Sequence, residues 1–189
     1  GVITFTTNVG TQSVSLSGQG LAALASLNAT GGTGFGDVAV GSSSDKVVSF
    51  SNTGNIAASG VYATLTGANY SITQNTCGTI SAPVTVPAQG SCSITVRYAP
   101  TAVATDPANL SVSSSAYNGT QSLSLTGSGV QGVLSTDKSS VTFTSTNVGS
   151  ASPTEVVTLS NSGTSPLTLS AISASGQFSQ TNTCGTLPA

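Results

Sequence analysis

The chain has 189 residues, of which only 4 % are charged, and three Lys or Arg against five Asp or Glu give a formal net charge of −2. Three scattered cations cannot form the basic surface that nucleic acids require, and no apolar run approaches the ~20 residues that cross a membrane as a helix. His is absent, which excludes nucleophilic Ser-His and Cys-His pairs. We therefore expect no nucleic-acid partner, no membrane span in this chain and no enzymatic activity.

Taken in order, the chain consists of short segments in which apolar and polar residues alternate. Ser and Thr together make up a third of the residues, and 22 residues are Gly. Alternation with a period of two predicts strands, here with hydroxyl-rich outer faces. Residues 21–27 (LAALASL) are assigned to a linker and first strand rather than to a helix. The predicted strands are residues 2–5, 13–16, 35–40, 46–51, 61–65, 70–73, 93–98, 110–113 and 122–125.

Residues 70–100 contain two cysteines in a turn-rich segment. Cys77 and Cys92 bracket Pro83, Pro87 and Gly90, and alternating apolar residues flank the segment on both sides. This pattern predicts two strands of one β-sandwich, with a Cys77–Cys92 disulfide holding the connection between them. The disulfide is preferred because the rest of the composition is typical of an extracellular protein. Two buried free thiols, as in a cytosolic domain, are the alternative.

Comparison of the chain with itself reveals a repeat of about 108 residues, the size of an immunoglobulin-like sandwich. GTQSVSLSG at residues 10–18 recurs as GTQSLSLTG at residues 119–127, an offset of 109. Asn52 and Gly54 recur as Asn161 and Gly163 at the same offset. FGDVAVG at residues 35–41 recurs as FTSTNVG at an offset of 108, and NTCGT at residues 75–79 recurs at an offset of 107. Four independent segments thus give one period.

In this frame the chain holds parts of three repeats. Residues 1–20 match the closing strands of a preceding repeat, residues 21–130 form one complete repeat of about seven or eight strands, and residues 131–189 match the opening part of a following repeat. The linkers at residues 18–20 (GQG) and 127–129 (GSG) are short, which favours a stiff rod. The predicted fold class is all-β, a tandem array of immunoglobulin-like β-sandwiches.

The recurring motifs carry a resemblance to a known family. F-x4-V-G, V-x-F/L-x-N-x-G, N-T-C-G-T, G-S-C-S-I-T-V-x-Y-x-P and G-T-Q-S-L-S-L-x-G follow one another along the chain. This order resembles the choice-of-anchor D repeats, relatives of the Hydin and abnormal-spindle (ASH) type immunoglobulin-like domains, which occur in tandem in bacterial surface and secreted proteins. The resemblance implies an extracellular or bacterial cell-surface location and a Cys77–Cys92 disulfide. Cys184 departs from the pattern, because it is either unpaired or paired outside this chain.

Two functions are compatible with these observations. The preferred hypothesis is a structural protein, a stalk, rod or fibre whose partners are neighbouring repeats or other copies of the same protein, arranged head to tail. The alternative is an adhesin, a module that binds a surface glycan or a protein through the loops at one end of the sandwich. An exposed aromatic cluster would favour the alternative, and Tyr62 and Tyr117 are the two aromatic residues expected outside the core.

No group of residues predicts a catalytic, cofactor or metal site. Asp37 and Asp45 lie in a Gly- and Ser-rich segment and are expected to be solvated, and the Cys and His spacing of a zinc site is absent. Four N-x-[ST] sequons are candidate glycosylation sites, although a chain so rich in Ser and Thr is expected to contain about four by chance. They begin at Asn28, Asn69, Asn109 and Asn118.

The alternating pattern also predicts the core. In the complete repeat we expect it to contain Val48, Phe50, Ile72, Ile94, Val96, Leu123 and Leu125, and in the following repeat Val157, Leu159 and Phe178. Residues 131–189 lack closing strands, so Val157 and Leu159 should be covered by strands from elsewhere. Further residues of a longer repetitive chain are one source, residues 1–20 of another copy are a second, and a frayed partial domain is the remaining alternative.

Overall fold

The computed structural model describes residues 1–189 and contains strands, turns and irregular segments but no helix. A hairpin of β1 (Val2–Thr7) and β2 (Gly10–Ser15) precedes the complete repeat. The complete repeat has nine strands: β3 (Ala25–Ala29), β4 (Gly34–Ala39), β5 (Ser44–Asn52), β6 (Ala58–Thr66), β7 (Tyr70–Asn75), β8 (Val84–Val86), β9 (Ser91–Tyr98), β10 (Thr105–Ser113) and β11 (Gln121–Val130). Four short strands follow: β12 (Leu134–Thr136), β13 (Leu159–Asn161), β14 (Leu167–Thr168) and β15 (Thr186–Leu187).

The nine strands of the complete repeat form two sheets. One sheet has the order β3-β5-β9-β7 and the other the order β4-β11-β10-β6-β8. All neighbours are antiparallel except β4 and β11, which are parallel. Two such sheets enclosing one core make an immunoglobulin-like β-sandwich, so the predicted fold class is confirmed. The strand number exceeds the predicted seven or eight because the short edge strand β8 lies within the cysteine segment.

Alternation along β5 and β9 sends every second side chain into the space between the sheets. Val48 faces Ile94 across this strand pair, and Phe50 faces Cys92. The predicted core is confirmed at Val48, Phe50, Ile94, Val96 and Leu125, all fully buried. Ile72 and Leu123 are partly buried and pack against the same cluster. Leu110 and Val112 of β10 are also fully buried and belong to the same core.

The Cys77–Cys92 disulfide is present and closes a sequence separation of 15 residues. The chain leaves one sheet here and joins the other: Thr76 N–H donates to Ser93 O in β9, and Ala63 N–H in β6 donates to Gly78 O. Cys77 is fully buried at this crossing. The bond therefore fixes the segment that passes between the sheets to the centre of the β3-β5-β9-β7 sheet.

The structure differs from the prediction at the expected linker that precedes the end of the complete repeat. The expected linker at residues 127–129 lies inside β11, where Gly129 is paired with Val38 of β4. Gly127 faces the ring of Tyr98, with no space for a side chain, and Gly129 lies against Ala102 O. The two glycines thus permit close packing at the end of a strand and do not form a flexible connection.

The following segment repeats the start of the sandwich in register. Leu134 is paired with Asn161 as Ala25 is paired with Asn52, and each position is shifted by 109 residues. Leu167 is paired with Leu187 as Ala58 is paired with Val86. The offset of β15 from β8 is therefore 101 (187 − 86), which shows that the segment after Cys184 is shorter than its counterpart after Cys77.

The predicted core of residues 131–189 is largely wrong for the single chain. Val157 and Phe178 are 43 % and 62 % exposed, and Leu159 is half-buried. The physical reason is that β9, β10 and β11 cover this face in the complete repeat, and residues 131–189 contain no strands in those positions. That strands from outside residues 131–189 cover Val157 and Leu159 stays a prediction.

Candidate functional site: the junction between repeats

Asn52 is fully buried, and it is the only buried side chain that carries an amide. It ends β5, and its amide is used completely. The amide oxygen accepts from the backbone N–H groups of Leu24 and Gly54, both at 3.1 Å. The amide nitrogen donates to three carbonyls, those of Ile56 at 2.8 Å, Pro87 at 3.1 Å and Val86 at 3.3 Å. One side chain therefore joins the start of the repeat, the turn after β5 and the end of β8.

Gly54, two residues further on, lets the start of the repeat approach this turn. A Cβ at this position would collide with the backbone of residues 22–24. Gly54 has no positive φ, so the turn at residues 52–54 does not need glycine for a left-handed backbone. The glycine is required by proximity alone.

Asn161 forms the same arrangement at the start of the following repeat. Its amide oxygen accepts from Val133 N–H at 2.9 Å and from Gly163 N–H at 3.0 Å. Its amide nitrogen donates to the carbonyls of Ser165, Leu187 and Pro188. Gly163 in turn lies against Gln131 O, where a side chain has no space. We call residues 52–55 and 161–164 the first and second N-x-G turns.

The last residue of each turn holds the segment that arrives from the preceding repeat. Asn55 Oδ1 accepts from Ala22 N–H, and its Nδ2 donates to Gly20 O, both at 2.8 Å. In the second turn Thr164 takes this place: Gln131 N–H donates to its Oγ1 at 3.3 Å, and Thr164 N–H donates to Gln131 O at 2.9 Å. Different side chains thus make equivalent contacts.

At the junction between the complete and following repeats, two hydrogen-bonded residues follow each other directly. Val130 O accepts from Val40 N–H at 2.9 Å within the complete repeat. The next residue, Gln131, is bonded on both sides of its backbone to Thr164 of the following repeat. Consecutive residues are therefore bonded to the nine-stranded sandwich and to the segment that follows it. A shallow hollow at this place is lined by uncharged residues that include Val103, Ser128 and Thr164.

A second polar cluster joins the two sheets inside the complete repeat. Asp106 Oδ2 accepts from Tyr98 Oη at 2.8 Å and from Asn69 Nδ2 at 2.8 Å. Tyr70 Oη donates to the backbone carbonyl of Asp106 at 2.7 Å. The rings of Tyr70 and Tyr98 stack at 4.7 Å, and Phe35 packs edge-on against Tyr70.

Burial and the nearby carboxylate both favour the neutral phenols. Burial, with the negative charge of Asp106 as a smaller contribution, raises the pKa of Tyr70 to about 12. Burial, then the hydrogen bond to Asp106, also raises the pKa of Tyr98. The tyrosines therefore act as hydrogen-bond donors that attach β7 and β9 to β10, which is a structural role.

The other carboxylates form no site. Asp45 makes a two-pronged ion pair with Arg97 at 2.8 Å across β5 and β9, and the hydrogen bond from Arg97 lowers the pKa of Asp45. Both side chains are about two-fifths exposed, so the pair contributes little to stability. No group of three or more His, Cys, Asp or Glu side chains lies together. The structure contains no helix of the length and apolarity that crossing a membrane requires.

The four sequon asparagines differ in the hydrogen bonds that their side-chain amides make. Asn118 donates to Ala25 O and accepts from Ala25 N–H. Asn69 is bonded to Asp106, and Asn109 Oδ1 accepts from Ser111 Oγ. Asn28 is exposed, and of the four it is the one whose side chain makes no hydrogen bond to the protein. Cys184 is an exposed free thiol in the single chain.

The sequence contained a signal for the junction that its interpretation missed. Asn52 and Asn161 were recognised as recurring turn residues, and their burial was not anticipated. Spacing alone cannot show that three carbonyls and two N–H groups from distant segments converge on one amide. The predicted outward positions are confirmed for Tyr117, which is 86 % exposed, whereas Tyr62 is half-buried.

No family model and no curated protein matches the sequence. Solved structures with a similar course of the chain include the ASH / PapD-like domain 7 of human CEP192, at 8 % identity and a TM-score of 0.46, over 62 % of this chain and 93 % of that one. The secreted serine protease VesC from Vibrio cholerae is similar at 20 % identity and 0.40, over 53 % of this chain and 22 % of that one. WR4, a C. elegans MSP family member, is similar at 8 % identity and 0.36, over 55 % and 96 %.

The fold assignment rests on the strand order of the structure and not on these similarities. The resemblance to choice-of-anchor D repeats stays a prediction.

Proposed function

We propose that this chain is a segment of an extracellular rod built from consecutive immunoglobulin-like sandwiches. In this proposal its task is mechanical: it sets the spacing and direction of neighbouring repeats and transmits load along the rod. Its partners are neighbouring repeats of the same kind. No catalytic step is part of the proposal.

The observation that carries the proposal is the pair Val130 and Gln131. Val130 is bonded to β4 of the complete repeat, and Gln131 is bonded to Thr164 of the following one. A flexible connection needs residues whose backbone groups are free to rotate, and none lies between these two. At the start of the complete repeat, Asn55 holds Ala22 and Gly20 through its side-chain amide.

The extracellular location is supported by the disulfide and by the surface. Disulfides persist mainly in oxidising compartments. Opposed hydroxyls on the outer faces hydrogen-bond across strands, as Ser111 does with Ser122 and Ser113 with Thr120. Such a surface is hydrated with very little charge, which suits a protein that lies beside copies of itself in media of variable ionic strength.

The binding alternative receives no comparable support. Tyr117 is the single large aromatic residue that stands clear of the complete repeat, and its backbone N–H donates to Ala23 O beside the preceding junction. In a rod this loop faces the neighbouring repeat and not a free end.

The rigidity of the junction can be measured with two spin labels on one chain. Cys184 is exposed and free, and Ser71→Cys in β7 provides a second site in the complete repeat. Labelling without reductant leaves the Cys77–Cys92 bond intact. We expect a narrow distance distribution at concentrations where the chain is monomeric. Insertion of Gly-Ser between Val130 and Gln131 should broaden it severalfold.

Two substitutions distinguish the effect of the Asn161 hydrogen bonds from the effect of the length of the connection. Asn161→Ala should broaden the distribution without any insertion, because it releases Val133 and Gly163 together. Thr136→Ala in β12 is the matched control, since this exposed side chain makes no bond to the turn. A wild-type distance distribution as broad as that of the variant with the Gly-Ser insertion would refute the proposed rigid rod.

A further inference from the structure

The bond between Asp106 and Pro107, near the start of β10, is the single Asp–Pro peptide bond in the chain. Such a bond is open to attack by the carboxylate of its own Asp, because this side chain can close a five-membered ring on the carbonyl carbon of the same residue. The tertiary nitrogen of Pro carries no hydrogen and leaves more readily than an ordinary amide nitrogen. Most Asp–Pro bonds stay intact at neutral pH, so the reactivity of this one depends on how the fold holds it.

The structure places a hydrogen-bond donor on the carbonyl oxygen of this bond. Tyr70 Oη, in the opposite sheet, donates to Asp106 O at 2.7 Å. Burial raises the pKa of Tyr70 to about 12, so the phenol keeps its proton at neutral pH. A donor in this position stabilises the negative charge that develops on the oxygen when a nucleophile adds to the carbonyl carbon. Besides attaching β7 to β10, the contact therefore has the geometry of a one-donor oxyanion site.

The carboxylate of Asp106 is hydrogen-bonded at one oxygen only. Oδ2 accepts from Tyr98 Oη and from Asn69 Nδ2, both at 2.8 Å, whereas Oδ1 makes no hydrogen bond to the protein. Asn69 is itself held, because Thr101 Oγ1 donates to its Oδ1 at 3.2 Å. The two bonds at Oδ2 limit the rotation of the carboxylate, and Oδ1 keeps its lone pairs for attack. A positioned nucleophile reacts much faster than a freely rotating one.

We propose that the complete repeat cleaves its own chain between Asp106 and Pro107. Asp106 Oδ1 adds to the carbonyl carbon of the same residue, and the C–N bond to Pro107 breaks as a cyclic anhydride forms on Asp106. The leaving nitrogen takes a proton from a water molecule and becomes the N-terminal amine of Pro107. The resulting hydroxide opens the anhydride and restores the side-chain carboxylate beside a new C-terminal one. One water is consumed for one peptide bond, and each chain reacts once.

The fold predicts that the two products stay together after cleavage. Residues 109–113 of β10 remain paired with β6, and β11 remains paired with β4. Leu110, Val112 and Leu125 keep their fully buried positions. Strand pairing and packing would then replace the covalent connection between most of the complete repeat and the segment that follows it. This goes beyond the proposed rod, and the distance measurement above does not depend on it.

The test is incubation of the full chain at neutral pH, followed by mass spectrometry of the denatured sample. We expect two fragments, residues 1–106 and 107–189, whose masses add up to that of the intact chain plus one water. Under native conditions both should elute as one species in size-exclusion chromatography. The rate should not depend on chain concentration or on protease inhibitors. With hydroxylamine present, the fragment 1–106 should carry a hydroxamate on Asp106, because hydroxylamine opens the anhydride in competition with water.

Substitutions assign the roles of the residues. Tyr70→Phe removes the donor on the attacked carbonyl and should slow cleavage about 100-fold, as loss of one oxyanion donor does. Asp106→Asn removes the nucleophilic carboxylate and Pro107→Ala the leaving group, and each should abolish the two fragments. Tyr117→Phe, at an exposed position, should be cleaved like the wild type. Each variant is incubated below its own thermal transition, so that loss of folding is not mistaken for loss of cleavage.

The unfolded wild-type chain provides the background rate. In guanidinium at the same pH, the Asp106–Pro107 bond should stay intact over the time in which the folded chain is cut. Equal rates in the two states would show that the fold contributes nothing, and this result overturns the proposal. So does a folded chain that stays intact throughout, a Tyr70→Phe variant that is cut as fast as the wild type, or cleavage without any hydroxamate.

Discussion

Asn161 forms a set of hydrogen bonds equivalent to that of Asn52, with each residue lying at the same place in its repeat, 109 residues apart. Each amide oxygen accepts from two backbone N–H groups, one two residues further on and one at the start of the same repeat. The two N–H groups of each amide nitrogen are shared among three carbonyls. A neutral amide suits this place because it offers two donors and one acceptor oxygen with two lone pairs. The relationship shows that the start of a repeat is fixed by polar contacts of defined geometry and not by apolar burial alone.

Replacing Asn52 by Leu should lower the free energy of unfolding by about 3–4 kcal/mol, because several buried backbone groups lose their partner and regain no water. Equilibrium denaturation in guanidinium measures this change. Asn28→Leu is the control, since Asn28 is exposed and makes no side-chain bond, and it should change stability by less than about 0.5 kcal/mol. Equal effects of the two substitutions would mean that the amide contributes nothing to the junction.

Loss of the Cys77–Cys92 bond should destabilise the complete repeat by ~3 kcal/mol, the value expected for a closed loop of about 15 residues. Denaturant midpoints of the oxidised protein and of the reduced protein measure the difference. Cys184→Ala should leave both midpoints unchanged, because this thiol is exposed and unpaired. Reduced and oxidised chains of equal stability would show that the crossing between the sheets is held by packing alone.

Local pattern was sufficient to predict the strands and the core face of the complete repeat. Val48 and Phe50 follow the period of two, and both are fully buried. The same rule failed at Val157 and Phe178, because a strand pattern states which side chains share a face and not what covers that face. Burial of the second face depends on strands that residues 131–189 do not contain.

The polar features were harder to predict, because they depend on contacts between distant segments. Asp106 was one of five acidic residues with no distinguishing neighbour in sequence, yet it receives Tyr98 and Asn69 from other strands. Gly54 was visible in the sequence only as a recurring residue, and its function is to leave space for residues 22–24. Such roles become visible only when the register of the sheets is known.

If the chain is produced in a host that glycosylates N-x-[ST] sequons, Asn28 should carry the glycan in preference to the other three sites. Its amide is free, whereas a glycan on Asn118 or Asn69 would cost the bond to Ala25 or Asp106. Site occupancy by peptide mass spectrometry measures the preference. High occupancy of Asn118 with the stability of the complete repeat unchanged would contradict it.

The tyrosine cluster predicts how stability depends on alkaline pH. Tyr70 ionises near pH 10 when unfolded and at about 12 when folded, chiefly because it is buried, and burial also raises the pKa of Tyr98. Between these values the folded state binds more protons than the unfolded state, so the free energy of unfolding falls as pH rises. The contribution is complete below pH 10 and is lost as the pH rises towards the folded pKa values.

Tyr98→Phe should therefore do two things. At neutral pH it should cost about 1.5–3 kcal/mol, the value of a hydrogen bond to a charged group, since Asp106 loses the donor at 2.8 Å. Above pH 10 its stability should fall less steeply than that of the wild type, because one perturbed phenol is gone. Denaturation at a series of pH values measures both effects, and Tyr117→Phe at an exposed position is the control. Tyrosinate absorbance in a Tyr62→Phe/Tyr117→Phe background reports Tyr70 and Tyr98 alone, and ionisation of both near pH 10 in the folded protein would contradict the argument.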